Sequence, residues 1–308
     1  MQHAAARDLD IAAQRHIPFS VIVPAHDEAA LIARCLRAIC EGAPAGCDLD
    51  LIVIANGCSD QTAEAARKAA PQATVIELAQ ASKSAAINRG LAVARHVPVL
   101  VVDADILCSF RSLAAVSQAL AEPEVLAASP AVRVDTDYSS GWVRAYYRLW
   151  QQLPYVTDRL IGGGVYGLSR DGLQRIGSLP SIIGDDLFVR TRFAPEERRS
   201  VARDAQGLPV YATIIAPRTA LDLIRIEARR MRGKRQVDRS YPTPYSGTIN
   251  GAGALRAALR RGASWSDVVI YVATKLLARA HHAWLTATGQ NRWSRDLSSR
   301  QESRQAAQ

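Results

Sequence analysis

Val99-Leu100-Val101-Val102-Asp103-Ala104-Asp105 decides the fold. An unbroken apolar run ends abruptly in two carboxylates one residue apart. Such a run predicts a strand buried on both faces, which places it at the centre of a parallel sheet. Asp103 and Asp105 then lie at the strand's carboxyl end, the edge where open α/β sheets bind ligands. Two acids there repel each other unless a cation lies between them. A divalent metal with oxygen ligands meets that need, and a phosphate-bearing ligand commonly completes its shell. Alternatively, one acid caps the next helix and the other is solvated. An Asp-x-Asp by itself does not choose between the two.

Upstream, the same theme repeats. Phe19–Pro24 reads as a short buried strand, Ala25-His26-Asp27-Glu28 as a loop, and Ala29–Cys40 as a helix. Leu49–Ala55 is a second strand, closed by Asn56-Gly57-Cys58-Ser59-Asp60, and Thr62–Ala70 is a helix stopped by Pro71. Thr74–Leu78 is a third strand, and Lys83–Arg95 a helix that leads into the Val99 strand. Strands alternating with helices predict an α/β fold with a mostly parallel sheet covered by helices.

Downstream, the pattern loosens. Ser109–Leu120 is a helix, Val125–Val134 a strand, and Trp142–Leu153 an aromatic-rich helix. Ile161–Ser169 is glycine-rich with apolar flanks, Ile182-Ile183-Gly184 runs into Asp185-Asp186, and Val210–Ala216 is a late strand. From Leu221 the chain turns basic and helical. The expected organisation is a loose leader over 1–18, an α/β domain over 19–220 and a basic helical region over 221–308.

Composition narrows the chemistry. The chain has 308 residues, 48% of them hydrophobic, yet no segment is both long and free of charge. That argues against an ordinary membrane-spanning helix. The first residues lack the apolar core of a secretory signal, and an odd cysteine count without metal-ligand spacing argues for a cytoplasmic protein. Cys35, Cys40, Cys47, Cys58 and Cys108 form no Cys-x-x-Cys pair, as expected of reduced thiols. The net charge is +9, carried mainly by arginine, which suits phosphate through planar bidentate contacts. The partners so implied are anionic lipid, a phosphorylated small substrate or nucleic acid. Nucleic acid ranks last, because the aromatic-basic interleaving of an RNA module is absent.

Five stretches in order resemble family 2 glycosyltransferases of the GT-A fold. They are Val21 through Glu28, Asn56 through Asp60, Lys83 through Gly90, Asp103-Ala104-Asp105 and Gly184-Asp185-Asp186, and the resemblance extends over about residues 19–218. It implies a Rossmann-like sheet and a metal-dependent, inverting transfer of a sugar. The donor would be a nucleotide-diphosphate sugar, and the acceptor a hydroxyl of a lipid, a glycan or a secondary metabolite. Pro24, Ala25, Glu28, Asn56, Asp60, Lys83, Asp103 and Ala104 would line the donor pocket. Glu28 and Asp60 also have a plain reading as helix caps, since each precedes a helix. Ala55-Asn56 stands where the family commonly has Asp-Asp, so the base that Asn56 would read is open. Lys83 would reach the base or ribose, and Asn88 reads as a structural hydrogen bond.

By the same resemblance, Asp105, assisted by Asp103, would ligate Mg²⁺ or Mn²⁺, a Lewis acid for the departing diphosphate. Asp186 matches the general base, with Asp185 in place of the family's glutamate; capping of the following helix is the plainer role. Gly163 and Gly164 would lie beside the donor sugar, or form a tight turn. Arg225, Arg229 and Arg232 share a helix face by spacing. With Gly233 as a hinge, Arg229 and Arg232 would close over the diphosphate; a solvated charge run reads equally well.

Two rival functions follow from the same residues. A sugar-phosphate nucleotidyltransferase needs a glycine-rich loop with Arg and Lys after the first strand, which Pro24 through Glu28 lacks. A binding protein without turnover would have no need to retain Asp103, Asp105 and Asp186 together. The segment from Trp265 to Trp284 is apolar but interrupted by Asp267, Lys275 and Arg279. Trp265, Tyr271, Trp284 and Trp293 suit a lipid headgroup boundary. Arg256, Arg260, Arg261, Arg279, Arg292 and Arg295 suit anionic lipid at the inner face of a membrane. Packing on the catalytic domain, or on a second copy in a homodimer, is the alternative.

Overall fold

A computed structural model describes residues 17–157, 161–245 and 252–288. The leader through residue 16, together with Arg292, Trp293 and Arg295, lies outside them. The first half alternates as expected: β1 (Phe19–Ala25), α1 (Ile32–Cys40), β2 (Leu49–Asn56), α2 (Thr62–Ala69), β3 (Thr74–Leu78), α3 (Lys83–Val93) and β4 (Val99–Val102). β1 pairs in parallel with β2 and β4, and β2 with β3. The apolar runs are unbroken because both faces are covered. Val21, Val23, Leu100 and Val102 enter one buried cluster with α1, whereas Ile22, Val99 and Val101 enter another with Ile87 of α3.

The second half is β5 (Leu107–Cys108), α4 (Phe110–Ala119), β6 (Ala127–Asp135), α5 (Gly141–Trp150), α6 (Pro154–Thr157), β7 (Val165–Leu168), α7 (Arg170–Ile176), α8 (Asp185–Arg190), β8 (Arg198–Val201) and β9 (Tyr211–Ile215). The sheet order is β3-β2-β1-β4-β7-β6-β9-β5, with β8 paired to β6. β7 runs antiparallel between β4 and β6, with Val102 opposite Val165 and Val99 opposite Leu168. The sequence pattern hides this strand, because its four residues follow a glycine triplet and resemble the flank of a loop. Its insertion carries the turn at Gly162–Gly164 to the acid-bearing end of β4.

The remaining helices are α9 (Ala220–Ser240), α10 (Ala252–Arg260) and α11 (Trp265–Ala287). They share an apolar cluster with α5, built on Tyr146, Tyr147, Leu223, Ala258 and Tyr271. Polar ties reinforce it. Glu227 of α9 pairs with Lys275 of α11 and with Arg230, Arg148 of α5 pairs with Asp267, and Trp142 Nε1 donates to Thr274 Oγ1. One face of α11 therefore packs on the α/β layer. No helix among the described residues is long and apolar enough to cross a membrane.

Candidate active site

The acids gather as strand ends and helix starts dictate. β4 delivers Asp103 and Asp105 to the sheet edge, where Asp103 is half-buried and Asp105 exposed. The Asp103 backbone N–H donates to the Gly164 carbonyl at 2.8 Å, which continues the β4–β7 pairing by one residue. α3 begins nearby with a Ser82 cap, and its first residue, Lys83, points at the acids. Lys83 Nζ lies 2.6 Å from Asp103 Oδ1 and 2.8 Å from Asp185 Oδ1. The lysine thus bridges carboxylates, where the expectation had been the base or ribose. Two negative partners outweigh solvation at that position.

The same electrostatics govern protonation. Burial pushes the Asp103 carboxyl up to about 7; Asp185 and Asp105 add to the rise, against the pull of Lys83. Burial disfavours the Lys83 charge, but Asp103 and Asp185 together hold its ammonium above the ordinary range. The cluster carries surplus negative charge even with its lysine in place.

Asp185 and Asp186 open α8, behind Gly184 at a φ of 95°. Asp185 is buried, and its other oxygen accepts from the Tyr166 hydroxyl of β7 at 3.2 Å. Asp186 is half-buried. Its Oδ1 accepts the Leu187 N–H at 2.7 Å, and its Oδ2 faces Gly162. A Cβ on Gly162 would stand 2.9 Å from that oxygen. The φ values of Gly162, Gly163 and Gly164 are 129°, 72° and 84°, so the triplet forms a tight turn that L side chains would strain. That turn lies between Asp186 and Asp103. The expected tight turn is therefore present, and its small residues border the acids.

From above, α9 contributes Arg229. Burial and the adjacent Arg230 hold its guanidinium below the ordinary range, against attraction from Asp105, Asp103 and Asp186. Arg225 does not join it, being turned toward Asp222 of its own helix at 3.3 Å. Arg232 lies one turn further on, within electrostatic reach of His282 of α11. The hinge assigned to Gly233 is corrected. α9 is continuous through it, and a Cβ there would stand 2.4 Å from the Ile183 carbonyl oxygen. The glycine lets the helix press onto the loop that presents Asp185 and Asp186. Gln236 fastens that loop: its Oε1 accepts the Ile183 N–H at 2.8 Å, and its Nε2 donates to the Ser181 carbonyl at 3.2 Å.

The expected donor-pocket residues divide. Pro24, Ala25 and Ala104 are buried at the strand ends. The Asn56 amide donates to the Ala25 and Ile54 carbonyls at 2.7 and 3.4 Å, so its N–H groups are committed to joining β1 and β2 and are not presented to a base. Asp60 behaves as a cap: Oδ1 accepts from the Thr62 N–H at 3.0 Å and from its hydroxyl, and Oδ2 accepts the Ala29 N–H at 3.1 Å. Glu28 starts α1 through its carbonyl, which accepts the Leu31 and Ile32 N–H groups, and its own N–H donates to Thr62 Oγ1. Asn88 is structural as expected, exchanging two 2.8 Å hydrogen bonds with the Leu179 backbone. Tyr166 and Gln236 were not singled out by the sequence. A lone tyrosine in an apolar strand and a glutamine in a charged helix carry no signal of their own.

A curled, mostly parallel sheet with an Asp-x-Asp at its central strand end, roofed by a basic helix, is a GT-A-type α/β fold. Residues 20–169 match the family described as Glycosyl transferase family 2. The match takes in β1 through β7 and covers just under half of the chain. A mannosyltransferase from Pyrobaculum calidifontis, solved with GDP-mannose and Mn²⁺, has a similar structure: TM-score 0.61, 20% identity, 88% of each chain covered. Glucosyl-3-phosphoglycerate synthase from Mycobacterium tuberculosis, solved with Mn²⁺, UDP-glucose and glycerol 3-phosphate, gives a TM-score of 0.50 at 18% identity. That match covers 76% of this chain and 83% of the other. No curated protein sequence matches the chain.

Proposed function

We propose that this glycosyltransferase moves a sugar from a nucleoside-diphosphate sugar to an acceptor hydroxyl with inversion, using Mg²⁺ or Mn²⁺. One observation carries the reading: the glycine turn lies between Asp186, at the start of α8, and Asp103, at the end of β4 with Asp105 two residues on. An all-carboxylate donor set is hard, and suits Mg²⁺ or Mn²⁺ rather than a thiophilic metal. Its surplus negative charge, which adds to the burial-driven rise of the Asp103 carboxyl, fits a divalent cation. Asp105, exposed and without an ion pair among the described residues, would be the principal ligand, with Asp103 assisting. The ion, when bound, would neutralise the charge that builds on the departing diphosphate.

Each remaining residue has a part. Arg229 would complement the diphosphate from the opposite side. Asp185 is held by Lys83 and Tyr166 and would keep the loop in place. Asp186 has Oδ2 turned toward the small-residue turn, where a sugar and an acceptor hydroxyl can approach. It would take the acceptor's proton as the hydroxyl attacks the anomeric carbon. One base and one in-line displacement invert the configuration. Calorimetric titration with a panel of UDP- and GDP-sugars, with and without Mn²⁺, tests this. Binding is expected only with Mn²⁺, and is expected to be lost in Asp105→Asn. Mn²⁺-independent binding, or wild-type binding by that variant, overturns the assignment.

A further inference from the structure

We infer that the outward face of α11 docks on the surface of an anionic lipid bilayer. Around the helix axis, Asp267, Val268, Tyr271, Thr274 and Ala278 are buried against α5 and α9. The opposite side carries Trp265, Val269, Val272, Leu276, Ala280 and Ala283, all exposed. Those positions recur at spacings of three and four and form a single stripe along the helix. Trp265 is 73% exposed and Leu276 56%. Leu277 and Trp284 border the stripe and are exposed as well. A surface helix ordinarily turns its polar side outward; a helix apolar all round is one that is covered on both sides.

Charge selects the cover. Within residues 252–288 the sole acid is Asp267, which is buried and paired with Arg148. Lys275 is likewise taken up, by Glu227. The exposed charges left on α10, its following turn and α11 are Arg256, Arg260, Arg261 and Arg279, all positive. Arg279 lies at the edge of the apolar stripe itself. A second copy of a chain with net charge +9 would bring like charge against like across this face. An anionic headgroup layer supplies the opposite sign, and the acyl boundary beneath it accepts the stripe. Trp265 and Trp284, near the two ends, suit the headgroup level. The helix would lie in the interface rather than span it.

The test is co-flotation of the full chain with vesicles. One set contains phosphatidylcholine alone, the other equal parts of phosphatidylcholine and phosphatidylglycerol. The protein is expected to float with the anionic set only, and less as salt rises. Val272→Glu with Leu276→Glu is expected to weaken partition by about tenfold or more, since both side chains lie in the stripe. Arg279→Gln should weaken it by about fivefold. Thermal melting of each variant reports whether the fold is kept, which exposed positions favour. Absence of flotation at low salt, or equal flotation of wild type and a folded double-glutamate variant, overturns the inference. So does a dimer in sedimentation that the double variant breaks while the wild type ignores vesicles.

Discussion

Lys83 Nζ lies 2.8 Å from Asp185 Oδ1, and this ion pair joins the first turn of α3 to the first turn of α8 across the end of β4. The same ammonium neutralises Asp103. Lys83→Met therefore leaves two neighbouring carboxylates without their cation. The expected loss is about 1–2 kcal/mol, below that of a fully buried pair because Lys83 is 39% and Asp103 31% exposed. Chemical denaturation measures it. Mn²⁺ is expected to restore part of the loss, because the ion would supply charge to the same acids.

The two adjacent acids of α8 should separate by phenotype. Asp185 is enclosed by Lys83 and Tyr166, so Asp185→Asn is expected chiefly to lower the melting temperature. Asp186→Asn should keep the melting temperature and donor affinity yet reduce turnover by roughly two to four orders of magnitude. A dead Asp185→Asn enzyme of wild-type stability beside an active Asp186→Asn enzyme would reverse the two roles.

Gly233 offers a steric test of the contact between α9 and the acid loop. A methyl group there has no room, since the obstacle 2.4 Å away is backbone. Gly233→Ala is expected to cost about 1–3 kcal/mol by overpacking, although alanine favours helix. Turnover should fall with it, because Arg229 and Asp186 are carried on the two elements forced apart. Gly253→Ala, also in a helix but with open space around it, is the control and should lose no stability.

The Glu227 ion pairs make a pH prediction. Burial alone would raise this carboxyl, but Lys275 and Arg230 bring it down to about 2. A depressed folded-state value means that the stabilisation is fully present above the ordinary glutamate range near pH 4.3. It is lost as pH falls from there through about 2. The contribution is on the order of 3 kcal/mol. Melting curves of wild type and Glu227→Gln should differ at neutral pH and converge in strong acid. A constant gap across that range would show that the group does not titrate as its partners dictate.

Much of this protein is written in local pattern. The runs at Val21, Leu51 and Val99 specify buried strands because no polar residue interrupts them, and the acids that follow must then stand at one sheet edge. Asp103 and Asp105 were legible for that reason; Asp186, which opens α8 with no strand before it, was legible only through the family resemblance. The capping role of Asp60 was also among the readings that spacing allowed. Tertiary structure decided what depends on partners distant in sequence. Only the sheet order puts β7 beside β4 and sets the glycine turn between Asp186 and Asp103. Only packing turns Lys83 toward two carboxylates, commits the Asn56 amide to the Ala25 carbonyl, and makes Gly233 a contact instead of a hinge. The periodicity of α11 showed an apolar helix, but its two faces became distinguishable once α5 and α9 covered one of them. A strand or helix is chosen by the order of residues along the chain, whereas the partner of a side chain is chosen by whatever the folded chain brings within a few ångströms.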